Sequence, residues 1–301
     1  MKRFFLSLVI PIIISGNLSA SDSEVKEDVN LPKTIGSRIL GLGGAFTAVA
    51  DDANAIFVNP AGILQLRGGF LDMGYNESGG KSTYSGHMSF ANSSPQENEA
   101  GGLGFYTKGI NVPEGKNRHY VVLISLVQGY SKDFYFGGNA KYIKNTNKNV
   151  IDETSIKESA FSFDLGMLFK LHESLSLGIM GYDLGKPDIS TNPRKVTMGL
   201  GLNFSPVINI GFDVDHFAQK DVRELDYHAG IDVLPQQGMS LQLGYFTDKL
   251  NKSEFITGGF RLQFTQKDRN DYIGYAYSEE LQEGLDEKTE KLHSVSIGLF
   301  Y

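Results

Sequence analysis

The chain has 301 residues, 41% apolar and 21% charged, with a formal net charge of −7. That composition argues against disorder, and the acidic balance argues against a nucleic-acid binder, which normally carries a basic patch. Cysteine is absent, which removes disulfide scaffolds, thiol catalysis, thiolate metal sites and cysteine-linked lipid anchors together.

The first twenty residues read as an address rather than as structure. Lys2 and Arg3 form a basic start, Phe4 to Ile14 is an apolar stretch, and Ser15, Gly16, Ser19 and Ala20 supply small residues for cleavage after Ala20. The apolar stretch is too short to span a bilayer, so a signal peptide over residues 1–20 is expected. No later apolar run reaches the roughly 18 residues of a membrane helix. Residues 21–35 are polar and charged, and a mobile segment is expected there.

Residues 36–66 are rich in small side chains. Gly41, Gly43 and Gly44 permit close backbone approach and unusual dihedrals. Ala45 to Ala50 is compatible with helix. Asp51 and Asp52 can cap or turn the chain, with a second short helix from Asn54. Asn59-Pro60 is a helix start, with Asn as the cap and Pro in the first position, and Ala61 follows. Gly62 is expected to release the chain into the first strand. The stretch has no third glycine of a dinucleotide loop and no Gly-Lys-Ser/Thr ending of a phosphate loop. Asp51-Asp52 lacks further carboxylates at calcium-loop spacing. The residues therefore read as a compact plug, with neither metal nor cofactor expected.

From residue 67 to 301 the chain alternates in period two. Val196, Met198, Leu200, Leu202 and Phe204 share one face, and Lys195, Thr197, Gly199, Gly201 and Asn203 the other. Phe161 to Phe169, Ile208 to His216 and Met239 to Phe246 repeat the pattern. Successive strand side chains point to opposite faces, so each segment has one greasy and one polar side. Roughly fourteen segments of about 8–12 residues can be counted, close to the 9–11 that a tilted strand needs to cross a bilayer. Connections after even-numbered segments are short, as at Ser131-Lys132, His172-Glu173 and Ser205-Pro206. Those after odd-numbered segments are long, as at 108–117, 145–158 and 279–291. Membrane barrels alternate short turns and long external loops in this way.

The last strand alternates Val295, Ile297, Leu299 and Tyr301 with Ser294, Ser296, Gly298 and Phe300. A terminal strand ending in an aromatic resembles the signal read by the outer-membrane insertion machinery. Tyrosines near segment ends (Tyr84, Tyr106, Tyr120, Tyr142, Tyr182, Tyr227, Tyr245, Tyr272 and Tyr277) are consistent with an aromatic girdle or with plain strand propensity. The expected fold is an all-β antiparallel transmembrane barrel of about 14 strands, over residues 67–301. A small hatch with short helices lies within 21–66.

Parity places Lys141, Asp164, Lys195, Asp213, Asp215, His228, Asp232 and Arg261 inside the barrel. Both signs are present, so the set can pair with itself or line a polar passage. Asp213, Asp215 and His216, with His228 on the neighbouring strand, are the one cluster from which a hydrolase could be built. Parity points His216 outward, and polar lining is the simpler reading, so a non-enzyme is expected.

The stretch GLGGAFTAVADDANAIFVNPAG followed by an alternating barrel resembles the PorV/PorQ-type branch of the FadL-like outer-membrane proteins. The resemblance implies a 14-stranded barrel closed by an N-terminal hatch, with Asn59, Pro60 and Ala61 in the hatch. It implies an outer-membrane location, with the lipid bilayer as partner. It also implies inward passage of fatty-acid-like hydrophobic compounds or, in the PorV branch, service to protein secretion or surface attachment.

Overall fold

The structure is a computed structural model, and it describes residues 31–79, 83–112, 115–149, 155–185, 194–205, 207–217, 225–249, 251–266, 269–281 and 290–301. The expected signal peptide lies outside these residues. Fourteen strands form a closed antiparallel barrel, each paired with its sequence neighbours: β1 (Gly68–Ser78), β2 (Thr83–Ser94), β3 (Glu99–Val112), β4 (Gly115–Ser131), β5 (Phe134–Asn149), β6 (Ser155–His172), β7 (Leu175–Tyr182), β8 (Lys195–Ser205), β9 (Ile208–Phe217), β10 (Leu225–Gln236), β11 (Met239–Asp248), β12 (Ser253–Gln266), β13 (Arg269–Glu280) and β14 (Lys291–Phe300). Closure of β1 on β14 in register from Phe70↔Phe300 to Ser78↔Leu292 leaves no edge strand; the part of β6 before Leu165 extends beyond its pairing with β7. No described helix is long and apolar enough to cross a membrane, so any crossing is made by strands.

The even strand count puts the start of β1 and the end of β14 at one end of the barrel, here the seam end. Links after odd-numbered strands lie at the other, the loop end. Two expected long loops are mostly strand instead: β3 and β4 pair until Val112 faces Gly115, and β5 and β6 until Lys148 faces Ser155. The polar, charged residues in these stretches mask their strand character from an apolar/polar alternation test.

Outward side chains are apolar and exposed, among them Leu126 at 75%, Phe161 at 80% and Leu243 at 64%. A contiguous belt of this kind is far larger than a water-soluble monomer normally tolerates, whereas hydrocarbon accommodates it.

Inside the barrel, residues 31–66 fill the lumen. They contain 3-10 helices at Leu31–Thr34 and Pro60–Gln65 and α-helices at Ser37–Gly41 and Ala55–Val58. Helices this short do not hold themselves together in water; packing holds them. Ile39, Leu42, Phe46, Ile56, Phe57, Ile63 and Leu64 form one core with inward Phe70, Ala91, Tyr106, Val121, Leu123 and Ile143 of the wall. Leu31–Ile35, expected in the mobile polar segment, is part of this body: Lys33 is 1% and Ile35 2% exposed.

Candidate functional site: the seam between hatch and wall

The glycine-rich motif and the inward charges singled out above meet at the contact between hatch and wall. Ala45 to Ala50 is not helical but irregular: apart from one turn in which the Val49 and Ala50 N–H groups donate to the Phe46 carbonyl, its backbone groups bond to side chains of the wall and of the rest of the hatch. The N–H groups of Phe46 and Thr47 donate to Asp213 at 3.1 and 2.9 Å. The Ala48 carbonyl accepts from Ser176 Oγ at 2.9 Å, and the Thr47 carbonyl from Asn59 Nδ2 at 2.8 Å.

Such close approach needs wall positions without side chains. Gly201, Gly211, Gly230 and Gly244 are cross-strand partners in one row over β8 to β11, and Gly178 pairs with Gly199 beside them. A β-carbon on Gly211, Gly230 or Gly244 would come under 3.0 Å from backbone atoms of Ala45, Leu42 or Gly43. The irregular hatch segment 42–48 thus runs along a groove of glycines. Gly43 and Gly44 have φ of 60° and 81°, a region that side-chain-bearing residues rarely adopt. Gly62 was expected to release the chain into β1; it sits inside the 3-10 helix, where a β-carbon would collide with Ala50.

Four buried polar nodes tie hatch to wall. In the first, Lys33 Nζ binds the Asp213 carboxylate directly, lies 3.9 Å from Asp215, and donates to Thr47 Oγ1 at 3.0 Å. Asp215 also accepts from Lys195 Nζ at 2.8 Å and Thr197 Oγ1 at 2.6 Å. His228 Nδ1 lies 2.8 Å from the Gly43 carbonyl oxygen, and its Nε2 is 3.5 Å from Asp215. In the second, Arg38 meets Asp51, Asp52 (3.2 Å) and Asp232 (3.2 Å), and Arg261 meets Asp52 at 3.2 Å. Burial disfavours the charge of Arg38, but these carboxylates outweigh it and hold the guanidinium pKa well above its ordinary value.

The third node joins Asp72 to His87 (2.6 Å), Asn54 (2.9 Å) and the Tyr272 hydroxyl. In the fourth, Lys141 binds Asp164 and Asp183, both at 2.7 Å. Asn139 bridges Asp164 (3.1 Å) to the Ile56 carbonyl (3.0 Å).

All eight parity-assigned polar residues therefore lie in the lumen, buried and largely paired with one another or with the hatch. His216 is exposed on the outer face, away from Asp213, Asp215 and His228, so the hydrolase cluster does not assemble. Tyr106, Tyr182 and Tyr272 do not join an outer girdle. They are 6%, 2% and 2% exposed and point inward, with Tyr182 donating to the Val58 carbonyl at 2.7 Å.

Lys33, Arg38, Asn54, Asp72 and His87 escaped sequence reasoning. Asp72 and His87 were available from the alternation of β1 and β2. Lys33 and Arg38 were not, since nothing local marks a lysine or arginine before a barrel as buried.

Towards the loop end, Phe255, Phe246 and His228 stack in series at centroid distances of 4.5 and 5.9 Å. On the adjoining strands β13, β14 and β1, inward Asn76, Ser78, Ser278 and Ser294 make the surface polar and hydroxyl-rich.

No family model and no curated protein matches the chain. Among solved structures, the chain is similar to the CymD monoaromatic hydrocarbon channel, with 13% identity, a TM-score of 0.69, and coverage of 89% of this chain and 97% of that one. It is also similar to the Ralstonia pickettii toluene transporter TbuX (12%, 0.67, 90% and 100%) and to a Pseudomonas aeruginosa FadL homologue (12%, 0.65, 89% and 98%). At these identities the likeness is one of fold: a 14-strand barrel of the FadL-like type.

Proposed function

We propose that this chain is an outer-membrane barrel of the FadL-like family that passes hydrophobic small molecules, its hatch acting as the gate. The observation that carries this reading is the combination of a closed 14-strand barrel with a lumen-filling hatch, in a fold like that of solved hydrocarbon channels. The aromatic stack of Phe255, Phe246 and His228 above the hatch is chemistry that a hydrophobic or aromatic ligand could use. The test is uptake of a monoaromatic probe and of a long-chain fatty acid by liposomes carrying the purified protein. Because the chain has no cysteine, a Ser37→Cys/Ser296→Cys pair, where the Ser37 N–H donates to Ser296 Oγ at 2.8 Å, can be introduced to lock hatch to wall. Uptake above that of empty liposomes, lost on oxidation and restored by reduction, is the expected result; uptake equal to empty liposomes would overturn the reading.

One observation favours a second reading, a PorV-like partner in secretion or surface attachment. The hatch is fixed by four buried polar nodes and a glycine groove, an arrangement suited to a permanently closed body that serves as a platform. This reading predicts stable co-purification with other envelope proteins and no uptake defect on deletion.

A further inference from the structure

β4, β5 and β6 are the longest strands, at 17, 16 and 18 residues against 8 to 14 for the others. Their extra length lies at the loop end. The outward face can be followed along each strand by parity. On β4 it runs from exposed Leu126, Ile124 and Val122 to Tyr120, Arg118 and Lys116. On β5 it runs from Tyr142 to Lys144, Thr146 and Lys148, and on β6 from Phe161 to Ser159, Lys157 and Ser155.

Five exposed cations (Lys116, Arg118, Lys144, Lys148 and Lys157) thus share one outer face directly beyond the apolar belt. Among the described residues of β3 to β6 no carboxylate shares it: Glu158 has the opposite parity, and β3 contributes Thr107, Gly109 and Asn111; outward Glu77 stands three strands away from Arg118, on β1. Lys116 is the direct cross-strand partner of Lys148. Like charges opposite one another weaken a sheet, so the pair carries a cost that an anion between the two would remove. Arg118 bonds to the Tyr120 and Tyr84 hydroxyls, which orients its guanidinium along this surface.

Depth identifies the anion. A strand rises about 3.3 Å per residue, and at the roughly 40° tilt of membrane barrels this is about 2.5 Å of height. Lys144 then stands roughly 5 Å beyond Tyr142, Arg118 and Lys157 roughly 10 Å beyond Val122 and Phe161, and Lys116 and Lys148 roughly 15 Å beyond the belt. The headgroup layer of an ordinary phospholipid is only about 5–8 Å thick. A ladder of cations reaching twice as far fits a bulky phosphorylated sugar headgroup.

We propose that the outer face of β4–β6 binds the phosphorylated glycolipid of the leaflet at the loop end, with phosphate held between Lys116 and Lys148 and along Arg118, Lys144 and Lys157. This rests on the outer-membrane reading above. The test uses the full chain in neutral-lipid nanodiscs, with bisphosphorylated lipid A, its dephosphorylated form and inorganic phosphate as probes. The wild type should prefer phosphorylated lipid A, hold it in the presence of millimolar inorganic phosphate, and release it at high salt. At about fivefold per cation near an anionic surface, Lys116→Gln/Lys144→Gln/Lys148→Gln should weaken binding roughly 100-fold, with unchanged heat-modifiable mobility. Lys116→Arg/Lys144→Arg/Lys148→Arg should retain it. Equal binding of the two lipid A forms, or an unchanged affinity in the glutamine variant, would overturn the inference while leaving the barrel reading intact. A chain recovered soluble without detergent would sink the barrel reading itself.

Discussion

Lys33 and Asp213 are 180 residues apart in the chain and meet with both side chains about 1% exposed. A buried pair stripped of one partner leaves an uncompensated charge, at a cost of roughly 3–5 kcal/mol. Lys33→Met should therefore lower the urea midpoint of the folded, heat-modifiable barrel substantially. Asp213→Ala should cost more, because it also orphans the Phe46 and Thr47 N–H groups, each at about 1–3 kcal/mol. Equal stability of Lys33→Met and wild type would mean that the pair contributes nothing. Parity alone placed Asp213 inside; it gave no indication of Lys33, whose burial follows from where the hatch lies and not from its neighbours in sequence.

At the scale of elements, the hatch is held by shape as much as by charge. Gly230 faces the Leu42 backbone, and Gly230→Val should push residues 42–48 off the wall. A single Ala48→Cys reporter in this cysteine-free chain checks that: thiol labelling should rise at least severalfold in the Gly230→Val background, and unchanged labelling would mean the groove is not what seats the hatch. Asn59 accepts from the Ala61 N–H at 3.2 Å and donates to the Thr47 and Met167 carbonyls at 2.8 and 3.0 Å. Losing a cap costs about 1 kcal/mol, and two buried carbonyls would lose their donor as well. Asn59→Ala should thus expose the hatch to limited proteolysis before the barrel unfolds. The last strand closes the cylinder: Tyr301 N–H donates to Gly69 at 3.0 Å, and the Tyr301 ring stacks on Phe90 at 5.7 Å. Removing Phe300 and Tyr301 should reduce the assembled, heat-modifiable fraction in isolated envelopes, as expected if this strand is also the insertion signal.

For the whole molecule, the test is which solvent the outer surface requires. Leu126 is the most exposed residue of the β4 belt at 75%, while its neighbour Ser125 is 1% exposed and faces the hatch. Leu126→Arg should destabilise the bilayer-folded barrel by about 2–4 kcal/mol near the midplane. By contrast, a charge in the extension at Thr146, the cross-strand partner of exposed Arg118 and of Lys157, introduced as Thr146→Glu, should be almost neutral. Equal effects at the two positions would contradict an apolar belt capped by a charged rim.

The alternation of residues 67–301 by itself pointed to about fourteen strands and to the inward or outward sense of the barrel side chains it covered, and the short-then-long connections added the barrel topology. It could do so because period two is a local property, and the belt needs only one continuous apolar face. It failed where the signal is not periodic hydrophobicity, in the charged extensions of β3 to β6; the girdle reading failed for Tyr106, Tyr182 and Tyr272, which face inward, and the helix reading for Ala45 to Ala50. Those outcomes were decided by tertiary structure. Closing the sheet brings β8 to β11 against residues 42–48, aligns their glycines into a groove, and delivers Asp213, Asp232 and Asp72 to hatch groups far away in the chain. Which inward charge meets which partner depends on barrel closure, and no local stretch of sequence contains that information.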